Sequence, residues 1–169
     1  MDNVEDFIKM GGEPLLLSTL STLTSLSTLP AEATADAIVA VATLYKNTVS
    51  ITNLTSCQTA LSMILPYTHA EEALLRRKAF YAVNVIVGKY AAMAEFFVES
   101  GGVRVLEDAM SGDADGKKKA LQLYRGLLRY FPSRPELSTI NVCSKMLQDV
   151  THVKEGEYEL VEAYMQLLA

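Results

Sequence analysis

The stretch "DFIKMGGEPLLLSTL" at residues 6–20 returns ninety residues later as "FFVESGGVRVLEDAM" at 96–110. Each run sets an aromatic before a double glycine and then spaces apolar residues over the positions that follow. Leu16 and Leu106 align, and Leu61 of "SCQTALSMIL" lies midway, 45 residues from each. Leu147 in "NVCSKMLQDV" comes 41 residues after Leu106. A second series runs beside the first: Ala37, Ala79 and Ala120, at steps of 42 and 41, each open a helical apolar stripe. Two interleaved helical patterns with a period near 40–47 residues are the signature of HEAT and armadillo arrays, whose units bury their apolar faces only by stacking. The expectation is an all-α, right-handed superhelical solenoid of about four repeats, closed by a capping C-terminal helix, with one domain over 1–169.

Individual stretches fit that reading. In "LLRRKAFYAVNVIVGKY", Leu75, Ala79, Ala82, Val83, Ile86 and Tyr90 share one face at helical spacing, while Lys78, Tyr81, Val85, Gly88 and Lys89 fall on the other. The double glycines allow sharp turns between helices, because glycine tolerates positive φ. In "STLSTLTSLSTLP", Leu20, Leu23, Leu26 and Leu29 recur every third residue, a spacing that drifts about 60° per step on a helix. One straight helix cannot bury all four, so a helix is expected to end near Leu23. A Ser/Thr loop follows, and Pro30 stands in the first turn of the next helix.

The motifs of common chemistries fail on their own terms. "GDADGKK" at 112–118 has three residues between its glycines where a phosphate loop needs four, and it lacks the Ser/Thr that would hold magnesium. As a calcium loop it places Tyr124 at the twelfth position instead of glutamate. It reads as a polar turn between repeats. His69 and His152 have no second ligand at metal spacing. Cys57 and Cys143 form no CxxC pair and read as half-buried thiols, with Cys57 near a helix end or loop. Asn53-Leu54-Thr55 is a glycosylation sequon, relevant only in the secretory pathway. No enzyme, cofactor or metal is expected. The net charge of −5 argues against nucleic acid as partner, and no apolar run approaches the ~18–20 residues of a membrane span.

What remains is a binding module. Solenoids hold partners on the concave surface formed by one helix of each repeat. The three helices with the shared alanine should supply it, through Thr43, Lys46 and Asn47, then Lys78, Tyr81, Val85 and Lys89, then Gln122 and Arg129. Tyr and Arg favour interface centres, and a basic stripe in an acidic protein implies an acidic partner surface.

The opening "MDNVEDFIKMGG" resembles that of the armadillo-type nucleotide exchange factors for the 70-kDa heat-shock chaperone. The block "RRKAFYAVNVIVGKYAAMAEFFVESGGVRVLEDAM" is similar to the family's central segment, and "EGEYELVEAYMQLL" to its final helix. The likeness covers roughly residues 2–17 and 35–169. It implies a monomeric co-chaperone without catalytic residues whose concave face embraces lobe II of the chaperone's nucleotide-binding domain, opens the cleft and releases ADP. The family often carries a basic residue where Gly88 stands, and Lys89 is expected to take that role one position along. Relatives continue upstream of the opening motif, so an N-terminal helical segment is expected to precede it. The lack of a retention tail favours the cytosol, whereas the sequon suits the endoplasmic-reticulum branch. The alternative is an armadillo scaffold or adaptor for an extended peptide or another protein. Such grooves rely on repeated Trp and Asn; here those sites are Val39/Thr43, Tyr81/Val85 and Gln122/Gly126, and the chain has no Trp.

Overall fold

In the computed structural model, residues 3–25, 30–48, 53–151 and 158–168 are described, and among them every regular element is a helix. Helices α1 (Asn3–Lys9), α2 (Gly12–Ser25) and α3 (Ala31–Asn47) are followed by α4 (Leu54–Ile64), a 3-10 turn (Leu65–His69) and α5 (Ala73–Lys89). Then come α6 (Ala91–Glu99), α7 (Gly102–Ala109), α8 (Ala114–Tyr130), the single turn α9 (Pro135–Ser138), α10 (Val142–Val150) and α11 (Tyr158–Leu168). The helices of the alanine series, α3, α5 and α8, are each 17 residues long, and their first residues, Ala31, Ala73 and Ala114, stand 42 and 41 apart. The period of the alanines is the period of the helices themselves.

The helix starts follow from local chemistry. Asn53, Asp113 and Asn141 each accept a hydrogen bond from the backbone N–H three residues on, at 3.2, 2.7 and 3.0 Å, satisfying a donor that the first turn leaves open. The Asp113 cap revises the reading of "GDADGKK" as a turn: only its first residues turn, and Asp115 to Lys118 lie in the first turns of α8. Pro30 stands at the N-cap of α3 rather than inside it. α2 continues two residues beyond Leu23, and its Thr19 and Thr22 hydroxyls donate to the carbonyls four residues back, at 2.9 Å each. Leu20 is buried and Leu23 half-buried, while Leu26, Leu29 and His152 lie outside the described residues.

At both double glycines the two positions have separate reasons. Gly11 and Gly101 carry φ of +82° and +84°, the left-handed conformation that glycine adopts at no steric cost. Gly12 and Gly102 open α2 and α7, and a Cβ on either would overlap the ring of the aromatic five residues earlier, Phe7 or Phe97. The repeated phrase is thus a helix, a left-handed corner and a second helix held under an aromatic ring.

The helices gather into two compact units, Met1–Met93 and Ala94–Ala169. In the first, α3 packs along α5, α2 against α3 and α4, and α4 against α5. Leu20, Ile38, Leu61, Ile64, Phe80 and Ile86 are closed to solvent. The buried face of α5 is wider than the single stripe, taking in Phe80 and Val87, because the helix meets α3, α4 and the 3-10 turn together. In the second unit α8 packs against α7 and α11. The Tyr124 hydroxyl donates to the Leu137 carbonyl at 3.1 Å, and Asp149 accepts from the Lys117 ammonium and, at 2.7 Å, from the Tyr164 hydroxyl. The leucine series holds in the two middle copies, Leu61 and Leu106, both fully buried. It fails at the last, where Leu147 is 69% exposed.

Candidate partner-binding surface

The residues singled out on the alanine-series helices all lie off the core. Thr43, Lys46 and Asn47 of α3 are exposed; on α5, Lys78, Tyr81 and Val85 are half-buried and Lys89 is exposed. Gln122 and Arg129 are exposed on α8, in the second unit. The packing of α3 on α5 brings the first seven onto one helix pair. Asn47 spends its side-chain N–H on the Thr43 carbonyl at 3.0 Å. The ammonium groups of Lys46 and Lys78 and the hydroxyl of Tyr81 have no hydrogen-bond or ion-pair partner among the described residues. Two cations without ion-pair partners and a partly exposed aromatic ring thus lie on this pair, Lys78 one turn before Tyr81 on α5 and Lys46 near the end of α3.

Lys89 behaves differently from the expectation. Its Nζ donates to the carbonyls of Tyr45 at 3.0 Å, Lys46 at 2.8 Å and Thr48. The last turn of a helix leaves carbonyls without intrahelical partners and carries partial negative charge, so a lysine ending the neighbouring helix is drawn onto them. The contact also shows that α3 and α5 run parallel with their C-terminal ends together. The neighbouring Tyr90 hydroxyl lies 3.4 Å from the Tyr45 and Thr48 carbonyls. Lys89 is thus a clamp between helices, where the sequence suggested a side chain directed to a partner. A side chain at position 88 would instead project freely, since a Cβ on Gly88 meets nothing within 4 Å.

Beneath this face lies a buried polar pair that sequence reasoning missed. Glu13, 7% exposed in the first turn of α2, accepts a hydrogen bond from the Tyr45 hydroxyl at 2.9 Å. Burial first, then the hydrogen bond to Glu13 and its charge, raise the Tyr45 hydroxyl far above its usual range. The only available signal was an acidic residue between a double glycine and an apolar run. Cys57 lies in the first turn of α4, near a helix end as expected, but is fully buried rather than half-buried, and Cys143 is exposed. Burial, helped by the charge of Glu13, pushes the Cys57 thiol up to about 12. It remains a thiol at neutral pH, and since the thiolate is the nucleophile, it is inert.

The second unit carries a groove of about 170 Å³ between α8 and α11. Gln122, Arg125, Gly126 and Arg129 line it from α8, Gln166 lines it from α11, and Leu121 and Ala163 supply apolar surface. Arg125 is the charged residue lining this groove that the sequence reading did not select. It lies three positions after Gln122 and four before Arg129, so helical spacing alone would have found it.

Among the described residues no three His, Cys, Asp or Glu side chains group as a metal site, and no helix is long and apolar enough to cross a membrane. Compared with known proteins, the chain matches no family model and no curated protein.

Proposed function

We propose that the chain is a non-enzymatic, armadillo-like co-chaperone that binds the nucleotide-binding domain of a 70-kDa heat-shock chaperone and promotes ADP release. The observation that carries the reading is the α3/α5 pair, which carries Lys46 and Lys78 without ion-pair partners among the described residues, together with the half-buried Tyr81. The likeness of residues 1–12, 76–110 and 155–168 to the exchange factors supports the choice of partner. Parallel packing of α3 on α5 and the equal lengths of α3, α5 and α8 support the armadillo reading.

The mechanism is a coupling free energy between two ligands of the chaperone. A partner that prefers the open cleft weakens nucleotide binding, and nucleotide weakens partner binding by the same factor. No catalytic group on this chain is required. The test is release of a fluorescent ADP analogue from the chaperone, with cytosolic and lumenal chaperones compared to fix the compartment; the cytosolic one is expected to respond. An off-rate unchanged with both, at protein concentrations well above ten micromolar, overturns the proposal. The adaptor reading is favoured instead if an extended peptide binds across this face while ADP release stays unchanged.

A further inference from the structure

We propose that the groove between α8 and α11 is a carboxylate subsite that takes an acidic side chain of a protein partner. The argument starts from how the second unit spends its cations. Lys117 pairs with Asp149, Lys118 with Glu159, Lys119 with Asp115, Arg104 with Asp108, and Arg134 with Glu95 and Glu136. Lys145 donates to the Ser111 hydroxyl at 2.6 Å. Among the described basic residues of this unit, only Arg125 and Arg129 lack an acidic or hydroxyl partner, and both line the groove.

The neighbours of the two arginines favour an anion there. Arg125 donates only to Gln166 Oε1, at 3.4 Å, a long bond that an incoming carboxylate readily replaces. Glu162, the acidic residue next to the groove, is held by Gln166 Nε2 at 3.1 Å and reaches neither guanidinium within ion-pair distance. Gly126 leaves the wall bare between the two arginines, with nothing within 4 Å of where a Cβ would stand. A guanidinium fork matches a planar carboxylate through two parallel N–H donors.

Size and charge select the ligand. A volume near 170 Å³ equals about six water molecules at ~30 Å³ each, well below the ~300–1,000 Å³ of a cofactor pocket. It suits the head of one Asp or Glu side chain. The chain's net charge of −5 disfavours polyphosphate or nucleic acid, whereas a single carboxylate meets two local positive charges. The inference rests on reading the chain as a binding module, but not on the partner being a chaperone.

The experiment measures fluorescence anisotropy of a labelled glutamate-rich nonapeptide with the full chain at low salt. A glutamine-for-glutamate version of the peptide serves as the neutral probe. Arg125→Ala with Arg129→Ala is expected to weaken binding of the acidic peptide at least tenfold. Gly126→Leu keeps every charge and raises helix propensity, so it should fold at least as stably while blocking the groove, with a loss of similar size. Arg77→Ala with Arg104→Ala removes two exposed positive charges elsewhere and should change affinity less than twofold. Wild-type affinity in Gly126→Leu, an equal loss in the Arg77/Arg104 variant, or equal binding of the neutral peptide overturns the proposal. The probe contains no chaperone. Peptide binding with unchanged ADP release would therefore sink the exchange reading alone, and the reverse result would sink the carboxylate subsite alone.

Discussion

At Gly12 and Gly102 the constraint is a ring, and the two rings differ in freedom. Phe97 is fully buried and cannot withdraw from a new methyl group, whereas Phe7 is half-buried and can swing toward solvent. Gly102→Ala is therefore expected to cost about 2 kcal/mol, within the range for overpacking a core, and Gly12→Ala clearly less. Gly11→Ala and Gly101→Ala should each cost roughly 1 kcal/mol from backbone strain, with no such asymmetry between the copies. Urea denaturation of the four variants checks both statements. Equal losses for Gly12→Ala and Gly102→Ala would show that ring contact is not what selects the second glycine. Gly88 is the opposite case, in an open helical position. Gly88→Arg should raise the melting temperature through helix propensity, by about 1 kcal/mol, and also tighten chaperone binding by adding a cation to the α5 face.

Between elements, the clamp from Lys89 to the end of α3 decides how the two helices align. Lys89→Met keeps the apolar stem and removes the ammonium, so it should destabilise the protein by about 1 kcal/mol, whereas Lys46→Met, with no partner to lose, should not. Calorimetry distinguishes them. Within α4, the buried Cys57 thiol has two consequences. In the native protein one thiol, Cys143, should react quickly with an aromatic disulfide reagent at pH 8, and the second only on unfolding. The unfolded thiol ionises near its ordinary value of about 8.5, while the folded one holds its proton to about 12. Stability is therefore intact below about pH 8.5 and falls as pH rises toward 12, since the unfolded state alone releases the proton. Tyr45 and Tyr164, both raised chiefly by burial, add to the loss above about pH 10. Cys57→Ala should flatten the first part of the decline, and thermal melts between pH 8 and 10.5 test this. The sequence carried the period of the three long helices, because apolar spacing is local; the caps Asn53, Asp113 and Asn141 were equally local but were not read. It did not carry the clamp, the Glu13–Tyr45 bond or the burial of Cys57. The residues concerned are 41 to 44 apart for Lys89, and 32 apart for Glu13 and Tyr45, and only packing brings them together.

For the whole molecule, the leucine series is closed to solvent at Leu61 and Leu106, half-buried at Leu16 and open at Leu147. The helices α3, α5 and α8 each have 17 residues, and two of them, α3 and α5, pack along each other. The function proposed for the chain rests on the α3/α5 pair, and the decisive variant must spare the clamp found there. Lys89→Glu would damage packing and binding together and decide nothing. Tyr81→Ala with Lys46→Glu removes a half-exposed ring and reverses an unpaired charge, both without hydrogen-bond partners among the described residues. Truncating a tyrosine at an interface centre commonly costs about 2 kcal/mol, roughly thirty-fold in affinity, and the reversed charge should slow association most at low salt. This double variant is expected to lose chaperone binding and stimulated ADP release while melting within a degree or two of the parent. Arg104→Glu, the control, alters charge at an 88%-exposed side chain of α7 and should bind normally. Equal loss in both would trace the effect to net charge. Undiminished binding in the double variant would move the interface off the α3/α5 pair, because no other change in it touches the core.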